Sequence, residues 1–217
     1  MGCFRRSGLV VAAAASQQLA AVAERPDVVI AADSGLHTVM ARGWIPDRVV
    51  GDMDSVDTDL LAAAERGGAS IQRHEIAKDE TDLELALEAV TRAGVTDLHV
   101  VARGDGRLDH QLANLAALAA PRLAEIAIFA TIGEHSVWVV RGRREIALAV
   151  GDHVALQPIG GEARVTTRGV AFPLRDETLS AFGARGIANR VTESPVTVEV
   201  ARGVVLVTSS PEPLDRG

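Results

Sequence analysis

The sequence predicts an α/β protein: a Rossmann-like parallel sheet with helices over residues 1–130, followed by an all-β sandwich over residues 131–217. Three observations predict it. The first 130 residues alternate short, unbroken apolar runs with helically spaced segments. After Thr131 the runs become β-branched and Gly-rich turns separate them. The 217 residues are 47% hydrophobic and 24% charged, the balance of a packed globular chain and not of a disordered or collagen-like one.

The apolar runs at 9–15, 28–32, 49–50, around Ile71, 98–102 and 126–130 lack polar alternation. That texture predicts strands buried on both faces of a parallel sheet. Residues 9–15 follow Arg5 and Arg6 and look briefly like a signal peptide, but Gln17 and Gln18 break the run, so it reads as a first buried strand entering a helix. Leu60, Leu61 and Ala64 mark one helix, and Leu83, Leu85, Leu87 and Val90 another, within a stretch 81–92 free of Pro and Gly. In the second part, strands are expected at 137–140, 145–150, 153–157, 163–167, 196–200 and 204–208. Gly142, Gly151, Gly160-Gly161 and Gly203 supply the turns between them.

A net charge of −7 excludes broad nucleic-acid binding, which needs a basic footprint. No apolar run is long enough for a membrane span. A single cysteine, Cys3, leaves no internal disulfide, and a cytoplasmic location is expected.

Four polar clusters follow strand-like runs: Asp33-Ser34-Gly35, Gly51-Asp52-Met53-Asp54-Ser55, Lys78-Asp79-Glu80-Thr81-Asp82, and Gly104 through His110. In open α/β sheets, ligands bind beyond the carboxyl ends of the strands. Each cluster has a plain reading. Asp33 could cap a helix starting near Leu36, Asp52 and Asp54 could form turns, Asp79 and Asp82 could be a capping pair, and Met53 could simply pack. Four acidic strand ends together are another matter, because gathered carboxylates repel unless a cation collects them. Asp52 and Asp54, two apart in a turn, and Asp79 and Asp82, expected on one helical face, can direct oxygens at one centre. Hard oxygen donors without a Cys/His cluster suit Mg²⁺. Lys78, Arg107 and the amides around Gly104 and Gly106 suit phosphate oxygens. The combination is that of phosphoryl transfer from a nucleotide, without a Walker loop or a GxGxxG signature.

In this order the motifs resemble the thiamine pyrophosphokinase (thiamine diphosphokinase) family. The matching stretches are Asp33-Ser34-Gly35, Gly43-Trp44-Ile45-Pro46-Asp47 leading to Gly51–Ser55, residues 78–87, and residues 104–115. The resemblance implies transfer of a pyrophosphoryl group from ATP to thiamine, by a homodimer with sites at the subunit interface. It implies Mg²⁺ on Asp52, Asp54 and Asp82 with Asp79 close by. Lys78, Thr81, Arg107 and Asp109 would meet the nucleotide, Lys78 and Arg107 assisting catalysis. Asp33, with Ser34 and Gly35, would sit near thiamine. Phe172, in the segment 169–174, together with Ile187 and Asn189, would form a thiamine wall. Here Ala188 stands where the family has serine, and Phe172 where it commonly has Trp or Tyr. Two alternatives from other classes are a metal-dependent phosphatase using Asp52-Met53-Asp54, and a nucleotide- or thiamine-binding module without turnover.

Overall fold

The computed structural model describes residues 5–14, 16–75 and 80–210. The chain divides into two compact units, Met1–Gly133 and Glu134–Gly217.

The first unit is built on a parallel sheet of β1 (Ser7–Ala12), β2 (Val28–Ala32), β3 (Arg48–Gly51), β4 (Ser70–Arg73), β5 (Asp97–Ala102) and β6 (Ala127–Ile132). Every pairing is parallel, and the order across the sheet is β6-β5-β1-β2-β3-β4. The chain therefore lays down β1 to β4 in one direction, then returns to add β5 and β6 on the far side of β1. The order reverses between β1 and β5, and that is where an open α/β sheet leaves a crevice.

Burial of both sheet faces explains the unbroken apolar runs. Leu9, Val11, Val29, Ala31 and Val49 face one side, where α2 (Gly35–Ala41) and α3 (Thr58–Arg66) contribute Leu36, Val39, Leu61 and Ala64 to the same core. The alternate residues Val10, Ile30 and Val50 are equally buried, and α4 (Asp82–Arg92) packs on β1, β2 and β3 through a face containing Leu83, Ala86, Leu87 and Val90. Strand β1 stops at Ala12, short of the expected Ala15, because Ala13 adopts a left-handed backbone with φ 49°. The short α1 (Ser16–Leu19) follows. His99 on β5 lies partly buried beside the Phe129 ring at 4.7 Å, with Nε2 2.9 Å from Thr131 Oγ1; burial pushes its pKa down to about 4.

The second unit is an antiparallel sandwich. One layer orders β12 (Asn189–Arg190), β9 (His153–Pro158), β14 (Val205–Ser210) and β7 (His135–Val140). The other orders β11 (Glu177–Leu179), β10 (Ala163–Arg168), β13 (Val196–Arg202) and β8 (Arg143–Ile146). Val154, Leu156, Val205 and Val207 from the first layer meet Val165, Val196, Val198 and Val200 from the second in one core. Strand β8 ends at Ile146 instead of continuing to Val150. The carboxylate of Asp152 accepts the N–H of Ala149 at 2.9 Å and draws that segment into a turn. Strands β11 and β12 lie outside the expected set; at three and two residues they are too short for an alternation to show.

Among the described residues no helix is long and apolar enough to cross a membrane.

Candidate active site

A cleft of about 560 Å³ opens where the strand order reverses. Ala12 and Ala13 at the end of β1, Ala32 and Asp33 at the end of β2, and Ala102 and Arg103 at the end of β5 form its floor, and small side chains at the strand ends leave it open. Thr81 and Asp82 at the start of α4, Gly106 and Arg107 just before α5 (Leu108–Leu118), and Gln111 and Asn114 within it form its walls.

Asp33 sits at the end of β2 with φ 47°, and its N–H donates to the Val50 carbonyl at 2.8 Å. It does not cap α2: the N-cap is Ser34, which makes no side-chain cap hydrogen bond. Its carboxylate instead turns toward the next strand end. One oxygen from each of Asp33, Asp52 and Asp54 lies within 4.8 Å of the others. Gly51 makes this convergence possible. Its φ is 147°, and a Cβ there would lie 3.1 Å from Asp33 Cβ and 3.3 Å from Asp82 Oδ1. The same distances place the Asp82 carboxylate beside the cluster. Met53 has φ 66°, buries its side chain in the core and leaves Asp52 and Asp54 on either side of it free to converge. Asp52 Oδ1 also accepts the Asp54 N–H at 3.0 Å, so the turn-forming reading of Asp52 holds alongside the gathering of charge.

The electrostatic consequence is read at Asp54. Its carboxyl is held above the ordinary range, first by its contact with Asp52 and the charge of that residue, then by burial, then by the charges of Asp33 and Asp82. One Asp33 oxygen, Oδ1, is buried and has no hydrogen-bond partner, a costly state for a carboxylate. A divalent cation would relieve both.

Thr81 is the N-cap of α4 within a capping box: its hydroxyl accepts the Glu84 N–H at 3.2 Å, and Glu84 accepts the Thr81 N–H at 3.0 Å. The cap of α4 is thus made by Thr81 and Glu84, with Asp82 the first residue of the helix, and the readings that pair Asp82 with Asp79 fall on a residue outside the described ones. Asp79 and Lys78 lie outside the described residues.

Arg107 and Asp109 form a bidentate pair, Nε to Oδ1 at 3.1 Å and Nη2 to Oδ2 at 2.5 Å. Arg103 pairs with Asp105 in the same way, at 2.7 and 3.0 Å. Both pairs are exposed, so little free energy opposes exchanging the carboxylate for a phosphate. Gly106 lines the cleft, whereas Gly104 has a packing role: a Cβ there would lie 2.8 Å from Gly133 Cα. Gly35 is likewise a packing residue, since its Cβ would fall 2.0 Å from the Val11 carbonyl oxygen. Ser34 lines the cleft beside Asp33.

On the second unit, Phe172 and Ile187 are exposed. Asn189 is not. It is buried, with Oδ1 accepting the N–H groups of Phe172 and Arg190 and Nδ2 donating to the Phe172 carbonyl. Expected as a substrate contact, Asn189 clamps the Phe172 peptide, its amide oxygen and nitrogen both engaged with backbone.

The sequence alone gave no role to several residues in or near the cleft. Gln18, taken only as a break in an apolar run, donates Nε2 to the carbonyls of Ala102 and Gly133 and ties down the end of β5. Arg103, adjacent to the 104–115 stretch, and Gln111 and Asn114, inside it, also line the cleft.

Two family models match the chain: "Thiamin pyrophosphokinase, catalytic domain" over residues 19–130 and "Thiamin pyrophosphokinase, vitamin B1 binding domain" over residues 141–205. The chain belongs to the thiamine pyrophosphokinase family. Among curated relatives, the thiamine pyrophosphokinase of Bacillus subtilis is 23% identical over 192 residues, 83% of this chain and 86% of that one. Thiamine pyrophosphokinase 1 of Oryza sativa subsp. japonica is 27% identical over 165 residues, 70% of this chain but only 62% of its own length. The chain thus spans less than two thirds of that plant relative. The crystal structure of the Bacillus subtilis protein superposes with a TM-score of 0.81 at 21% identity, covering 95% of this chain and all of that one. The Candida albicans thiamin pyrophosphokinase superposes at 0.79 with 14% identity, covering 96% and 90%. At such identities the superpositions establish a shared thiamine pyrophosphokinase fold. These matches do not favour the phosphatase alternative.

Proposed function

We propose that this chain transfers the pyrophosphoryl group of ATP to the hydroxyl of thiamine, giving thiamine diphosphate and AMP. The observation that carries the reading is the convergence of Asp33, Asp52 and Asp54 at the carboxyl ends of β2 and β3, with Asp82 alongside, Asp33 and Asp82 also lining the cleft where the strand order reverses. The unpartnered Asp33 oxygen and the raised carboxyl of Asp54 fit a divalent cation, and an all-oxygen donor set fits Mg²⁺. Asp52, Asp54 and Asp82 would hold it, with Asp33 as a fourth oxygen donor and Asp79 nearby. When bound, the ion would neutralise charge on the phosphate oxygens.

The rest falls to the chain's own side chains. Arg107, supported by Lys78, would bind polyphosphate oxygens, Arg107 releasing Asp109 to do so. Thr81 and the backbone at Gly106 would border the nucleotide. The thiamine oxygen would attack the β-phosphorus in line, forming the new O–P bond as the bond to the α-phosphate oxygen breaks and AMP departs. Asp33 or Asp52 would take the hydroxyl proton. Phe172 and Ile187 would offer thiamine an apolar wall, stacking through Phe172 without a hydrogen bond. Residues 1–130 would act as the nucleotide-binding domain and 131–217 as the substrate-binding domain, in a cytoplasmic homodimer.

Incubation with MgATP and thiamine tests the reading. AMP and thiamine diphosphate should appear in equal amounts. Release of inorganic phosphate without thiamine, or tight binding of both substrates without AMP, would overturn it.

A further inference from the structure

Ser55 ends the Gly51–Ser55 segment. It is exposed, so core packing does not hold it there. Its hydroxyl donates to Oδ2 of Asp33. A serine hydroxyl has one proton to donate, so this bond commits Ser55 to Asp33 rather than to Asp52 or Asp54.

The Asp33 main chain is fixed independently, by its left-handed φ, by its N–H bond to Val50 and by the close approach of its Cβ to Gly51. The remaining freedom is rotation about the Cα–Cβ and Cβ–Cγ bonds, the second a broad torsion with weak intrinsic preference. Ser55 anchors one oxygen. The other, Oδ1, is buried and accepts no hydrogen bond, and Asp33 is one of the three residues whose oxygens converge within 4.8 Å. We infer that Ser55 is a positioning residue: by holding Oδ2 it turns the Asp33 carboxylate so that Oδ1 serves the cation shared with Asp52 and Asp54. The inference rests on the metal reading under Proposed function and adds the device that aims one of its donors. Groups that orient metal ligands from outside act in this way.

Mn²⁺ alone, titrated into the full-length protein with free Mn²⁺ followed by EPR, tests it. Ser55→Ala should bind about 10-fold to 100-fold more weakly than wild type, the usual consequence of losing an orienting hydrogen bond. Ser55→Thr, which keeps the hydroxyl, should bind close to wild type. Thermal melts of wild type and Ser55→Ala should coincide. Wild-type Mn²⁺ affinity in Ser55→Ala, equal weakness in Ser55→Thr, or a large fall in its melting temperature would each overturn the inference. Asp54→Ala separates the two levels. If it weakens Mn²⁺ binding while Ser55→Ala does not, the metal reading stands and only the role of Ser55 fails. If wild type binds no Mn²⁺, or Asp54→Ala binds it undiminished, both fail.

Discussion

Asn189 grips the Phe172 peptide from both sides, its Oδ1 accepting the N–H at 3.0 Å and its Nδ2 donating to the carbonyl at 2.8 Å. The gripping residue is 3% exposed and the gripped aromatic 63% exposed, so a buried amide sets the attitude of a side chain that faces outward.

Asn189→Ala leaves those peptide groups without partners and should cost about 1–3 kcal/mol of stability. It should also raise KM for thiamine, since Phe172 loses its fixed orientation, while kcat at saturating thiamine changes little. Thermal melts and steady-state kinetics check the two effects separately. An unchanged KM in a destabilised protein would remove Phe172 from the thiamine wall.

Asp54 is exposed at its turn and surrounded by like charge. Asp54→Ala relieves repulsion from Asp52, Asp33 and Asp82, so its melting temperature should equal or slightly exceed that of wild type. Turnover should fall by about 100-fold or more, the scale of losing one electrostatic contact at a reacting centre. Product formation at saturating Mg²⁺ measures this, and full activity there would count against the cation cluster as the catalytic centre.

Gly35 begins α2 against the backbone of β1, where a Cβ would stand 2.0 Å from the Val11 carbonyl oxygen. Gly35→Ala must push the helix away and should destabilise the first unit by about 3 kcal/mol, the upper range for overpacking. Gly142→Ala is the matched control, because a Cβ there meets nothing within 4 Å. Chemical denaturation of both variants should show a loss in the first alone.

His99 supplies a pH dependence of stability. Its folded pKa of about 4 lies below the ordinary value of 6.5, so the unfolded chain takes up the proton first as pH falls. Its contribution to stability is therefore intact above about pH 6.5, declines as pH drops toward 4, and levels off below that; the total loss is on the order of 3 kcal/mol. His99→Gln, which retains a polar contact for Thr131, should flatten the stability profile between pH 6.5 and 4. Melting temperatures across that range compare the two proteins, and parallel profiles would remove His99 as the source.

Much of the fold was legible because local rules and tertiary environment agree. The 28–32 run is β2 residue for residue, since a strand buried on both faces tolerates no polar position. The 81–92 stretch is α4 with Thr81 as its cap. Legibility failed where a local cue was overridden or too short. Ala13 ends β1 early through its backbone conformation, and β12, which pairs with β9, has two residues, too few for an alternation to show.

In the site, the order and kind of the acidic residues pointed to a divalent cation and a nucleotide, because the repulsion among carboxylates is a property of their chemistry. Their partners were not legible. Asp33 gathers with Asp52 and Asp54, Gly104 and Gly35 lie where a Cβ would meet backbone, and the Asn189 amide meets the Phe172 peptide.

Residue type and spacing by themselves determined the layered α/β architecture, the sandwich that follows it and the class of chemistry, since periodicity and charge are written along the chain. Which oxygens meet, which glycines merely make room and which polar side chains turn inward were decided only in three dimensions. Asp33 and Ser55 are 22 positions apart and Asn189 and Phe172 are 17. Contacts across such separations depend on strand order and backbone dihedrals, which no local pattern encodes.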